Sequence, residues 1–146
     1  MTRMHIWRWI VACAVAIGAS SLCQAKCSVS TTSLIFSTYD VFSTLPNDIT
    51  GTITVKCRPS ASYSLSLSPG SGTYTSRVMK NGIYTLNYNL FLDVTRLTIW
   101  GDGSSGTGIV SGTAADANHT VYGRIPARQN AHTGSYADVV VVTVTF

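Results

Sequence analysis

Ser62-Tyr63-Ser64-Leu65-Ser66-Leu67-Ser68 alternates without a break, apolar on odd positions and serine on even ones. A period of two marks a strand with one buried face, since a helix would return its apolar residues every three or four positions. Gly51-Thr52-Ile53-Thr54-Val55-Lys56-Cys57 repeats the pattern, with Ile53, Val55 and Cys57 on one face, and Leu86-Asn87-Tyr88-Asn89-Leu90 puts both leucines and Tyr88 on another. Weaker patterning predicts strands over 28–36, 97–100, 108–112 and 120–125, and a strong run closes the chain over 136–146. Pro46, Pro59, Pro69 and Pro126 read as falling between strands, where a missing amide hydrogen costs no ladder bond. About eight short strands separated by turn signals, with no amphipathic helix, predict an all-β fold, a two-sheet β-sandwich.

The closing run differs from the rest. Val140, Val142, Val144 and Phe146 line one face while Val139, Val141, Thr143 and Thr145 line the other, so both faces are apolar or β-branched. Such a run on an open edge is an aggregation hazard, and the pattern therefore predicts either an inner strand or one that a partner covers.

Composition sharpens the fold class and narrows the compartment. From Lys26 onward the chain holds 16 Ser, 18 Thr, 11 Gly and no Glu, which is strand-and-turn chemistry. At the front, residues 1–9 carry Arg3 and Arg8, residues 10–17 are apolar, and residues 18–25 turn small and polar, the order of an export signal. The apolar core of that leader is much shorter than the ~20 residues of a membrane span, and no stable membrane insertion is expected. Cleavage after Ala25 fits best, with Ala19 the runner-up, leaving residues 26–146 as one domain. Ile10-Val11-Ala12-Cys13 spells a lipoprotein box but stands at the wrong end of the apolar run. Without the leader the balance is 8 basic against 6 acidic residues, too weak a charge to argue for nucleic acid.

Cys13 and Cys23 depart with the leader, which leaves Cys27 and Cys57. In an oxidising compartment an even pair reads as a disulfide. With no CxxC and no neighbouring histidine, the pair is a poor zinc site.

The chemical motifs weaken in context. Gly101-Asp102-Gly103-Ser104-Ser105-Gly106 spells a dinucleotide fingerprint, but Thr107-Gly108-Ile109-Val110 predicts a strand where phosphate binding requires a helix N-terminus. A hairpin loop rich in positive φ explains the glycines. His119 and His132 lack a nucleophile motif and read as solvated loop residues. Asp40, Asp48, Asp93, Asp102, Asp116 and Asp138 are scattered, as turn caps are. Arg96, Arg124 and Arg128 with Trp100, Tyr122 and Tyr136 would make a basic, aromatic surface, which the compartment and the charge argue against. No catalytic residue, cofactor or metal ligand is expected.

Several separated motifs in order carry a family resemblance. They are Leu86-Asn87-Tyr88-Asn89-Leu90 with Asp93, Arg96, Trp100-Gly101-Asp102-Gly103, Val121-Tyr122-Gly123-Arg124-Ile125-Pro126, Gln129-Asn130, and Gly134-Ser135-Tyr136 with Asp138. Cys27-Ser28-Val29-Ser30, Phe36-Ser37-Thr38-Tyr39-Asp40 and the strand ending at Cys57 add the front half. Together they resemble the spore coat protein U domain family, which supplies subunits of archaic chaperone-usher pili.

The resemblance implies a structural, non-enzymatic subunit: an immunoglobulin-like sandwich lacking its last strand and completed by donor-strand complementation. The implied partners are a periplasmic pilus chaperone, an outer-membrane usher and neighbouring pilus subunits. The implied location is the periplasm in transit, then a cell-surface or extracellular fibre active in adhesion and biofilm formation. By analogy with pilins, the open groove lies between Val29, Leu34 and Phe36 on one side and Val140, Val142, Val144 and Phe146 on the other. With cleavage after Ala25, only Lys26 precedes Cys27, leaving almost no extension to donate; a tip or minor subunit is then expected. Two rivals remain at this stage. One is a self-contained carbohydrate-binding sandwich using Tyr74, Tyr84 and Trp100; the other is a small hydrolase built on a spatial pair of Asp93 and Asp102.

Overall fold

The computed structural model describes residues 24–146. The leader assigned to residues 1–25 lies outside them except for its last two positions. Six strands, β1 (Lys26–Thr31), β2 (Asn47–Leu67), β3 (Arg77–Asn81), β4 (Tyr84–Phe91), β5 (Val110–Ile125) and β6 (Val142–Thr145), build a curled antiparallel sheet, with no helix among the described residues. The ladder order is β1-β2-β5-β4-β3, and β6 also pairs with β2.

The eight short strands expected from patterning become six: two pairs fuse, the run at 97–100 forms no strand, and β3 appears where none was expected. The runs at 51–57 and 62–68 are the two halves of β2, and the weak runs at 108–112 and 120–125 are the two ends of β5. Asn47–Lys56 of β2 pair with Asp116–Ile125, and Ala61–Leu65 pair with Val110–Ala114, the register shifting between Lys56 and Ala61. Pro59 stands in that shift, inside β2 rather than between strands. The unpaired step is where an amide-free residue fits. The run at 97–100 contributes only bridges, Ile99 to Phe91 and Trp100 to Gly108.

Alternation selects the core as expected. Ile53, Val55, Cys57, Leu65 and Leu67 of β2 face Leu86, Leu90, Val121, Ile125 and the fully buried Trp100, whose indole N–H donates to the Leu65 carbonyl at 3.2 Å. Cys27 and Cys57 are directly opposite in the β1–β2 register and joined by a disulfide. One inner position defies the pattern: Arg77 is 0% exposed. Its guanidinium donates to Ser68 O at 2.9 Å, Trp100 O at 2.8 Å and Asn89 Oδ1 at 2.6 Å. Burial holds its pKa below the usual arginine value, and these carbonyl acceptors carry the charge that no carboxylate bonds. Nothing in the sequence Arg77-Val78-Met79-Lys80 marks the first position as the buried one.

Candidate functional site

Between two stretches that belong to no strand lies a groove of about 1020 Å³. One rim is formed by residues 31–42, which continue β1, and the other by residues 131–142, which lead into β6. Its floor is the core itself, including Ile53, Leu67, Leu86, Tyr88, Leu90 and Val121. Core side chains therefore line the groove while remaining buried.

Both rims have strand-like sequence without strand pairing. On the first, Leu34 and Phe36 are half-buried against the core while Ile35 between them is 77% exposed. Among the described residues, the backbone of residues 33–36 makes no hydrogen bond. On the second, Val140 and Val142 turn inward while Val139 is 79% and Val141 57% exposed. Backbone-to-backbone bonds tie that rim to the body at two points. Ala137 exchanges backbone bonds with Lys80 at 2.8 and 3.0 Å, and Val141 accepts from Ser68 N–H at 2.9 Å.

Close approach of the first rim depends on two glycines. A Cβ on Gly51 would come within 2.7 Å of Leu34 Cδ2, and one on Gly123 within 2.9 Å of Phe36 Cζ. Tyr88 spans the floor. Its ring meets Phe36 edge-on at 6.2 Å, and its hydroxyl donates to Asp138 Oδ2 at 2.6 Å, while Asp138 Oδ1 accepts Ser71 N–H at 2.9 Å. Burial, reinforced by Asp138, pushes the Tyr88 phenol above its ordinary value and keeps it a donor. The lining includes Asp40 and Asp138 but no Lys, Arg or Glu. Such a channel suits an apolar, extended segment better than an anionic ligand.

A family model described as the Spore Coat Protein U domain matches residues 14–143. The chain belongs to the Spore Coat Protein U domain family. Protein U of Myxococcus xanthus is 38% identical over 130 residues, covering 77% of this chain and 71% of that protein. A solved structure titled the CsuC–CsuE chaperone–tip adhesion subunit pre-assembly complex, from archaic chaperone-usher Csu pili of Acinetobacter baumannii, contains a similar chain. It matches with a TM-score of 0.62 at 22% identity, over 84% of this chain. This chain spans 40% of that chain's length, and the likeness is one of fold. The Spore Coat Protein U family is structural, not enzymatic.

The structure distributes the residues expected to line the groove. Leu34, Phe36, Val140 and Val142 line it. Val29 and Val144 pack on the core outside it, at positions of β1 and β6 paired opposite Val55 and Leu65. Phe146 lies beyond β6 in a separate shallow cleft with Tyr63 and Gly112. Sequence alone did not single out Tyr88, Asp138 or the two glycines as parts of a channel, although all four fall within the family motifs or the second-cysteine strand.

The rival chemistries find no site. Trp100 is buried, so it is unavailable to stack on a sugar; Tyr84 stacks on His132 at 4.1 Å and Tyr74 lies beside Arg77. Asp93 and Asp102 each cap their own loop. The Thr95 hydroxyl, with the Thr98 and Leu97 amides, holds the Asp93 carboxyl at about 2, and Ser104 lowers that of Asp102. Carboxylates fixed as anions are poor proton donors. Gly103 and Gly106 adopt φ of 87° and 75° in a loop that passes directly into β5, with no helix to receive a phosphate. His119 is not a solvated loop residue: it lies on β5 with Nε2 2.8 Å from the Tyr63 hydroxyl, and burial lowers its pKa. Arg124 is spent on a bidentate pair with Asp48, both contacts at 2.7 Å. No group of three or more metal-ligating side chains occurs among the described residues.

Proposed function

We propose that this chain is an exported subunit of a surface fibre or coat, folded as an immunoglobulin-like sandwich that lacks one strand and receives it from another protein. The observation that carries the reading is the groove itself: core residues lining its floor between two rims with apolar inner positions, one of which has unpaired backbone over residues 33–36. A strand laid there would gain ladder bonds from the rims and bury alternate side chains on the floor. Membership of the Spore Coat Protein U family supports a coat or pilin role, and the Csu-like fold supports a periplasmic chaperone as the first strand donor and a neighbouring subunit as the second, with passage through an outer-membrane usher between them. The disulfide agrees with an oxidising compartment on that route. Surface attachment and biofilm formation follow as the proposed role. Cleavage after Ala25 would make the subunit an acceptor with little to donate, suited to a tip or minor position.

Residues 26–146, oxidised, are mixed with a synthetic peptide of about ten alternating valines and threonines with a lysine at each end. Resistance to protease and the mass of the product are then followed. The expected result is a chain that is degraded or aggregates alone and becomes a resistant one-to-one complex with the peptide. A compact, resistant monomer indifferent to the peptide would mean that the fold is already complete.

A further inference from the structure

Beside the groove, at the end of β5, a side chain acts as backbone. β4 and β5 pair through Asn89↔Arg124, and two more steps of that register set Asn87 opposite Pro126. Proline has no amide hydrogen to give. The Asn87 backbone is satisfied all the same: its N–H donates to Gln129 Oε1 at 2.8 Å, and Gln129 Nε2 donates to its carbonyl at 2.8 Å. The Gln129 amide thereby fills the ladder position that proline leaves empty.

The same residue is tied to the opposite rim. Its backbone N–H donates to the Tyr39 hydroxyl at 2.7 Å, and that hydroxyl donates to the Pro126 carbonyl at 2.8 Å. Tyr39 stands just beyond the unpaired stretch that carries Leu34 and Phe36. At the other end of the stretch, Thr32 N–H donates to Thr52 O at 3.0 Å and Thr52 N–H to the Thr32 hydroxyl at 2.8 Å. The first rim is thus pinned on both sides of the segment whose backbone is free.

We propose that Tyr39 and Gln129 are positioning residues for strand capture: they latch the first rim to the end of β5 and hold the groove open for an incoming strand. This rests on the strand-accepting reading above. Released at the Tyr39 end, the rim would be held there only through Ser37, whose carbonyl accepts from Asn47 Nδ2 at 3.0 Å, and residues 34–36 would sink further over the floor. An incoming strand would then have to displace and order them, a cost the latch removes before encounter. In the finished complex the new strand itself holds the rim, so the latch acts on the rate of capture more than on its duration.

The test uses oxidised residues 26–146 and the valine–threonine peptide carrying a fluorophore. Association and dissociation rates are measured for wild type, Tyr39→Phe, Gln129→Leu and the double variant. Tyr39→Phe removes one hydroxyl and leaves the Asn87–Gln129 bonds in place. It is expected to slow association roughly fivefold while dissociation stays within about twofold. The double variant is expected to be no slower than Gln129→Leu alone, because both belong to one latch. Unchanged association in Tyr39→Phe overturns the proposal. So does a parallel change in both rates with a lowered melting temperature, the signature of a merely structural residue. If wild type captures no peptide at all, the strand-accepting reading fails and takes the latch with it, an outcome distinct from a wild type that captures normally and variants that match it.

Discussion

β2 and the two rims are written in the same alphabet and reach opposite ends. Ile53-Thr54-Val55 of β2 is bonded to β1 along one edge and β5 along the other, and its apolar side chains are almost wholly buried. Leu34-Ile35-Phe36 and Val139-Val140-Val141-Val142 are as apolar or more so, yet residues 33–36 have no backbone partner and Ile35 and Val139 face solvent. Alternation fixes which side chains face the core, whereas pairing requires a neighbour at the right distance. β2 differs from the rims in one further way, since serine, threonine or lysine occupies most of its outward positions. On the rims Ile35, Val139 and Val141 stand at such positions, although Ser33 and Ser37 flank Ile35.

The largest expected effect breaks the comparison at its root. Cys27 fixes β1, and the first rim continues β1, so Cys27→Ser with Cys57→Ser should release both together. With a sequence separation of 30, the chain-entropy model assigns the cross-link roughly 3 to 4 kcal/mol. Denaturant midpoints of the oxidised and doubly substituted chains would show this, together with loss of amide protection across residues 26–36. An unchanged midpoint would mean that ladder pairing alone holds β1.

The next effect acts on the body and spares the rims. Arg77→Met keeps the volume but leaves Ser68 O, Trp100 O and Asn89 Oδ1 short of a donor, which should cost about 2 to 4 kcal/mol in equilibrium unfolding. Lysine should not rescue it, because one ammonium does not reproduce the planar fork that reaches three acceptors. Full rescue by Arg77→Lys would show that charge rather than geometry matters there.

The two regions were not equally legible in the sequence. The β2 halves, β4 and most of the buried set follow from a period of two, because a half-buried strand leaves that trace in any context. The Cys27–Cys57 bond followed from even cysteine count and compartment. The fusion of short runs into β2 and β5 did not, since a strand that bends at Pro59 carries the same local marks as one that ends there. Arg77 was hidden because its burial is decided by carbonyls at Ser68 and Trp100, far away in sequence. The groove was half visible: the doubly apolar run at 139–142 called for a cover, and the family resemblance set Val29, Leu34 and Phe36 opposite it, but only the fold extends that rim to residue 42 and gives it a floor. Val144 and Phe146 share the face of Val142 by period, yet of the three only Val142 lines the groove, Val144 packing on the core beyond it and Phe146 lying in a separate cleft.

The smallest expected effect concerns pH and again divides the body from the rims. His119 packs on the body with its ring nitrogen against the Tyr63 hydroxyl, and burial disfavours its protonated form. A folded pKa below the ordinary histidine value of 6.5 means that the unfolded chain takes up the proton first. The stabilisation is therefore complete above pH 6.5 and is lost as pH falls below it. Asp48 contributes to a second step, since the Arg124 hydrogen bond lowers its pKa from 3.8, and the lowered Asp93 and Asp102 add to it, so these contributions are present above that value and lost as pH falls further. Thermal melts from pH 8 to pH 3 should show a shallow decline beginning near 6.5 and a second below 4, with His119→Gln removing the first and keeping the second. Persistence of the upper step in His119→Gln would assign it elsewhere. Because none of these groups lines the channel, capture of the valine–threonine peptide should keep its rate through the upper step, which separates the acid sensitivity of the ladder from the readiness of the rims.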